Sequence, residues 1–164
     1  ARTRDERYRP PAHWPWVARI AEAVKVPVIA NGEVWTVEDY LRCRAESGQA
    51  DVMLGRGAVA DPFLVERIRA HLEGHAPRAH AEDWPRLLPM LDNYWQRVTR
   101  DLAPRHAPGR LKQWLNLLRQ HYPQAEALFA RLREMRDAAA VGACLAGAVA
   151  ATGQPRSGAT RASG

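Results

Sequence analysis

The chain has 164 residues, a formal net charge of +6 and a pI near 10.0; this is enough for one domain, or a domain fragment with an appendage, and enough to bury a core. The charge favours an anionic partner such as nucleic acid, although all 24 basic residues except Lys25 and Lys112 are Arg, which also fits a general compositional bias. The small-apolar run 138–151 falls short of the ~20 residues that a membrane span needs, so no membrane role is expected. Cys43 and Cys144 lie far apart without a CxxC or paired His, which argues against a metal site and a disulfide framework.

Ala1 opens directly into the charged segment Arg2-Thr3-Arg4-Asp5-Glu6-Arg7. There is no apolar stretch of the secretory kind, so a cytoplasmic setting is expected, and the opening reads as the middle of something longer. Trp16, Val17, Ile20 and Val24 then recur at helical spacing, and Pro15 suits a first turn, so a helix is expected from Pro15 to about Val24. Val26-Pro27-Val28-Ile29-Ala30 is a short apolar run ending at Asn31-Gly32, the pattern of a buried parallel strand that turns sharply at its carboxyl end. Thr36 before Val37-Glu38-Asp39 is a capping-box-like start, with the helix expected to run to Ser47 and to end at Gly48. A second run, Asp51-Val52-Met53-Leu54, stops at Gly55-Arg56-Gly57, and Asp61-Pro62 starts a helix to about Glu73-Gly74.

This alternation is that of a parallel α/β fold. Two strands cannot make a parallel sheet covered on both faces, so residues 1–74 are expected to be the last part of a larger domain whose earlier strands are not in the chain. Residues 75–82 are a linker candidate. Beyond them the pattern is all-helical: a helix over 83–102, with Pro89 implying a later start or a bend, then 110–122, 124–137 and a short helix in the Ala-rich run. Residues 83–152 thus read as a helical domain, and 153–164 as a disordered tail with nothing to bury.

Asn31-Gly32-Glu33 and Gly55-Arg56-Gly57 each follow a predicted strand, where parallel α/β proteins place ligands. Glycine lets backbone N–H groups approach a phosphate, a helix N-terminus adds partial positive charge, and Arg56 offers a bidentate fork. Either loop alone is more readily read as a tight turn. Two of them separated by one strand-helix unit are what adjacent barrel strands would present to one ligand. Glu33 is either a solvated carboxylate or an acceptor for a ligand N–H or hydroxyl.

In the helix 110–122, Leu111, Trp114, Leu115, Leu118 and Tyr122 fall on one stripe at ~100° per residue, while Lys112, Asn116 and Arg119 share a flank that could track a phosphate backbone. Residues 104–136 carry seven Lys or Arg against two Glu. A solvated helix face is the alternative to RNA contact. Trp84, Trp95 and Trp114 are expected in the core, from their helical spacing with leucines.

The stretch from Pro27 to Trp35, then Val52-Met53-Leu54-Gly55-Arg56-Gly57-Ala58, resembles the last two strands of the bacterial tRNA-dihydrouridine synthases. Arg2-Thr3-Arg4 with Tyr8 and Trp14 is similar to that family's segment after the sixth strand, where Lys usually stands at the position of Arg4. Arg110-Leu111-Lys112-Gln113-Trp114-Leu115 with Leu118-Arg119 and Tyr122 resembles the C-terminal domain of subfamily-C members. The resemblance implies the C-terminal part of a (β/α)8 TIM barrel followed by a small helical bundle. It also implies an FMN enzyme using NADPH to reduce the C5–C6 bond of uridine in tRNA, acting as a monomer in the cytoplasm. In the family, Asn31, Gly32, Glu33, Gly55 and Arg56 match positions that contact FMN, and Arg110, Lys112 and Arg119 match positions that touch tRNA. The proton-donor cysteine is expected upstream of this chain, Cys43 and Cys144 are expected to be packing residues, and no metal is implied. Two rivals remain: the C-terminal part of another FMN-dependent TIM-barrel oxidoreductase, and a non-catalytic nucleic-acid-binding module.

Overall fold

The structure, a computed structural model, describes Asp5, Arg7 and residues 10–153. The expectations for Arg2, Thr3, Arg4 and Tyr8, and for the tail beyond Gly153, lie outside the described residues. The chain divides into two compact units, Ala1–Ala79 and His80–Gly164.

In the first unit the order is α1 (Trp14–Ala23), β1 (Ala30–Asn31), α2 (Val37–Ser47), β2 (Val52–Met53), α3 (Gly57–Ala60) and α4 (Leu64–Leu72). Strands β1 and β2 pair in parallel, Ala30 opposite Val52 and Asn31 opposite Met53, with α2 as the crossover between them. Helix α2 forms as its sequence demands. The Thr36 hydroxyl accepts from the Asp39 N–H at 3.1 Å, and the Asp39 carboxylate accepts from the Thr36 N–H at 3.2 Å, a reciprocal capping box. A backbone hydrogen bond and the Thr36 hydroxyl hold the Glu38 carboxyl below its ordinary range in that first turn. Gly48, at φ 65°, ends the helix in the left-handed conformation and donates to the Arg44 carbonyl. Trp14, Val17, Ala30, Val34 and Cys43 form the core of this unit, and burial raises the Cys43 thiol above its ordinary pKa.

Three local differences from the sequence reading have physical causes. The expected five-residue first strand shrinks to two, because only Ala30 and Asn31 find ladder partners, Val52 and Met53, in the short β2. Val26 and Ile29 are accordingly 67% and 56% exposed. In α1 it is Trp14 and Val17 that are buried, while Trp16, Ile20 and Val24 are exposed, so the stripe read from the sequence splits over two faces. Asp61 does not begin a helix: its carboxylate accepts from the Phe63 N–H at 3.1 Å and pairs with buried Arg67 at 2.7 Å, leaving α4 to start at Leu64. The Arg67 guanidinium also donates to the Arg78 carbonyl, which ties down the segment after α4.

The second unit consists of α5 (His80–Asp101), α6 (Ala107–Leu118), α7 (Pro123–Leu132) and α8 (Ala138–Gly153). Helix α5 starts within the expected linker and runs through both Pro85 and Pro89. A proline inside a helix costs roughly 3 kcal/mol, and the buried stripe of Trp84, Leu87, Leu88, Leu91, Trp95 and Val98 on α5 outweighs it. Helix α6 ends at Leu118 instead of 122; Tyr122, fully buried, instead precedes α7, whose first residue is Pro123. The Ala-rich run gives a helix of 16 residues whose Val141 and Leu145 are fully buried. Gly142 allows its approach to α5, since a Cβ there would lie 3.0 Å from the Trp95 indole nitrogen. Among the described residues no helix is long and apolar enough to cross a membrane, and no three His, Cys, Asp or Glu side chains cluster to hold a metal.

Candidate functional site

The parallel pairing of β1 with β2 brings the two glycine loops side by side. They line one cavity of about 260 Å³, formed by Asn31, Gly32, Glu33, Val34 and Trp35 from the first loop and by Leu54, Gly55, Arg56 and Gly57 from the second. Their main chains touch: a Cβ on Gly57 would fall 1.8 Å from the Val34 carbonyl oxygen, a distance that only glycine avoids. Gly55, at φ 57°, turns the chain out of β2 with the Asn31 amide oxygen alongside. The Arg56 guanidinium stands 5.5 Å above the Trp35 ring, a cation–π arrangement on the cavity wall.

The first loop carries two successive residues at positive φ, Gly32 at 118° and Glu33 at 56°. It is engaged by the chain entering α1, through Ala12 and Trp14. The Ala12 N–H donates to the Glu33 carboxylate at 2.5 Å, and the Trp14 indole N–H donates to the Gly32 carbonyl at 3.0 Å. Neither contact was visible in the sequence, because the partners are 21 and 18 residues apart.

One element of the sequence argument changes. Helix α3 after the second loop is a single four-residue turn, and α2 begins only at Val37. A macrodipole acts within its first turn, so an anion here would be met by Arg56 and the loop main chains rather than by a helix end. The cavity sets one cation, Arg56, near one carboxylate, Glu33, and its glycine main chains leave room for a phosphoryl group, which fits the phosphoryl end of the FMN implied by resemblance.

In the second unit the three basic residues singled out on α6 have distinct surroundings. Arg110 is exposed and donates to the Gln113 side chain at 3.3 Å. Arg119 is exposed, pairs with Glu126 at 3.3 Å and lies 4.9 Å over the Phe129 ring. Lys112 is half-buried, and its ammonium donates to the Arg133 and Met135 carbonyls at 2.9 and 2.5 Å, closing the turn that follows α7. Trp84 and Trp95 are buried as expected. Trp114 departs from that expectation: half-buried and edge-on to Tyr94 at 4.9 Å, it walls an open groove with Met90, Asn93 and Arg97.

The first unit is a parallel β-α-β unit with a cavity at its strand ends, and a basic four-helix unit follows it in the chain. The chain belongs to the dihydrouridine synthase family, whose model matches residues 1–151; the family's domain is a TIM barrel, and a mostly helical chain with two short parallel strands is consistent with part of one. It is 55% identical over 137 residues to the tRNA-dihydrouridine(16) synthase of Aquipseudomonas alcaligenes, which covers 84% of this chain and 43% of that protein. It is 50% identical over 154 residues to the protein of the same name from Ralstonia nicotianae, covering 94% of this chain and 46% of the relative. The Cupriavidus necator protein of that name is 50% identical over 155 residues, 94% of this chain and 47% of the relative. The chain thus spans less than half the length of these curated relatives.

Proposed function

We propose that this chain is the C-terminal portion of a subfamily-C-type tRNA-dihydrouridine synthase, an FMN-dependent oxidoreductase that reduces uridine to 5,6-dihydrouridine in tRNA with NADPH. The observation that carries this reading is the meeting of Asn31-Gly32-Glu33 and Gly55-Arg56-Gly57 on one cavity. In this reading residues 1–74 are the last β/α units of the barrel, 75–82 the linker, and 83–152 a helical tRNA-binding bundle, the protein working as a monomer in the cytoplasm. The relatives named for position 16 support that uridine as the target.

When bound, FMN supplies the hydride for the uridine double bond. This chain's residues would do the holding: Gly32, Gly55 and the loop main chains would leave room for the phosphoryl group, Arg56 would offset its charge, and Asn31 and Glu33 would lie beside the phosphate and ribityl chain. Arg110, Lys112 and Arg119 meet the tRNA backbone. The proton donor is a cysteine upstream of Ala1. Buried Cys43, with its pKa raised, has neither the access nor the acidity for that task.

The test uses the full-length protein. Its wild type is expected to restore dihydrouridine at position 16 in tRNA from cells lacking the activity, read by mass spectrometry of tRNA fragments, and to purify with bound flavin that Arg56→Ala largely loses. Equal flavin occupancy in Arg56→Ala would remove the phosphate assignment, and unmodified tRNA would remove the reaction.

A further inference from the structure

The Gly32-Glu33 turn is held from outside the cavity. Glu33 sits at φ 56°, a left-handed conformation that a residue with a Cβ keeps only when its surroundings enforce it. Among the described residues, three contacts from the short segment 12–14 hold it here. The Ala12 N–H holds the Glu33 carboxylate, the Trp14 indole N–H holds the Gly32 carbonyl, and Gly32 is pressed so close to Ala12 that an added Cβ would lie 3.0 Å from the Ala12 Cβ. The two hydrogen bonds grip consecutive residues of the loop, one by its main chain and the other by its side chain.

Trp14 is suited to this task. Its ring is 3% exposed, packed in the core with Val17 and Val34, and the Arg42 guanidinium lies 4.9 Å over it. It does not line the phosphate cavity, so any effect it has there must pass through Gly32. Glu33, by contrast, lines that cavity, and its carboxylate accepts from the Ala12 N–H at 2.5 Å.

We propose that Trp14 is a positioning residue that, with the Ala12 main chain, latches the Gly32-Glu33 turn onto the start of α1 and thereby sets the phosphate selectivity of the cavity. The proposal rests on the phosphate-site reading above and adds a residue outside the cavity that shapes it. Loss of the latch lets the turn relax from its left-handed conformation and spread its amides, which weakens grip on a phosphoryl group while leaving untouched whatever binds the rest of a flavin.

The test compares FMN with riboflavin, which shares the ring and ribityl chain but lacks the phosphate. Affinities of both are measured by fluorescence quenching on the full-length apoprotein. Wild type is expected to prefer FMN strongly, and Arg56→Ala to lose that preference by direct contact. Trp14→Phe should lower FMN affinity about tenfold with riboflavin affinity unchanged, and so should Ala12→Pro, which removes the N–H that Glu33 accepts without changing a residue of the cavity. Ala12→Pro keeps the Trp14 ring in the core should Trp14→Phe fail to fold. If FMN and riboflavin affinities fall in equal proportion, or if both variants keep the wild-type preference, the latch is overturned and the phosphate site stands. If wild type itself binds both flavins equally, the phosphate reading falls and the latch with it.

Discussion

The two units bury themselves by different means. In the second, four helices close on a leucine-rich interior, and the large apolar side chains left in water are few, Met90 and Leu102 among them. In the first, Trp16, Ile20, Val24, Val26, Ile29 and Met53 are all exposed around a sheet of two short strands. A parallel sheet is covered on both faces, so an uncovered one with apolar flanks has the composition of a core without all of its walls. The second unit makes its own interior; the first, on the reading proposed above, shares one with upstream strands. Beside its small core, the first unit carries a set of polar ties: the α2 capping box, the Ala12–Glu33 and Trp14–Gly32 bonds, and the buried Asp61–Arg67 pair.

That contrast can be broken at several points. The largest effect is expected at Asp61→Ala, which strands the Arg67 guanidinium in a buried site and should cost about 3–5 kcal/mol. Urea denaturation of this chain, followed through the tryptophans of each unit, should show the first unit lost and the second kept. A shift below about 1 kcal/mol would mean that the ion pair is not what anchors that unit. Next, Leu111→Ala in α6 should cost about 2–5 kcal/mol, because Leu111 is wholly buried. Ile29→Ala in this chain should cost well under about 1 kcal/mol, yet approach the Leu111 value in the full-length protein; equal small effects in both would show that nothing upstream covers that strand. The smallest effect concerns the basic face of the second unit. Replacing Lys112 and Arg119 with Ala in the full-length protein should flatten the salt dependence of tRNA binding by roughly 0.7–0.9 in log–log slope per lost phosphate contact. Because Lys112 also closes the turn after α7, Arg110→Ala serves as the comparison that leaves internal contacts nearly intact. An unaltered slope in all variants would leave these residues as a solvated face.

What could be read from sequence alone was whatever is set within a few residues. The Thr36–Asp39 box and the Gly48 stop depend on neighbours three or four positions away, and they form as read. The shared cavity of the two glycine loops was legible as an expectation for a similar reason: once two runs are parallel strands linked by one helix, their carboxyl ends must be adjacent. What escaped was non-local. Strand lengths depend on partners, so the run before Asn31 lost most of its expected ladder. Pro89 implied a later start or a bend in α5, yet a continuous apolar stripe carries the helix through it and through Pro85. Trp114 has the same spacing as its buried neighbours but lies at the edge of the packing, where periodicity does not distinguish an inner position from a lateral one. The support of the loop by Ala12 and Trp14 spans too many residues for any pattern to reveal it, and Gly57 could be noted as a turn residue without its contact to Val34 being foreseen.

That contact between Gly57 and the Val34 carbonyl has a consequence for how the pocket could evolve. Where backbone abuts backbone, the width of the opening is independent of which side chains decorate it. Exchanges at Trp35 or Arg56 can therefore retune affinity and charge preference while the aperture keeps its gauge, whereas any residue other than glycine at 57 would pry the two turns apart and change the size of what fits between them.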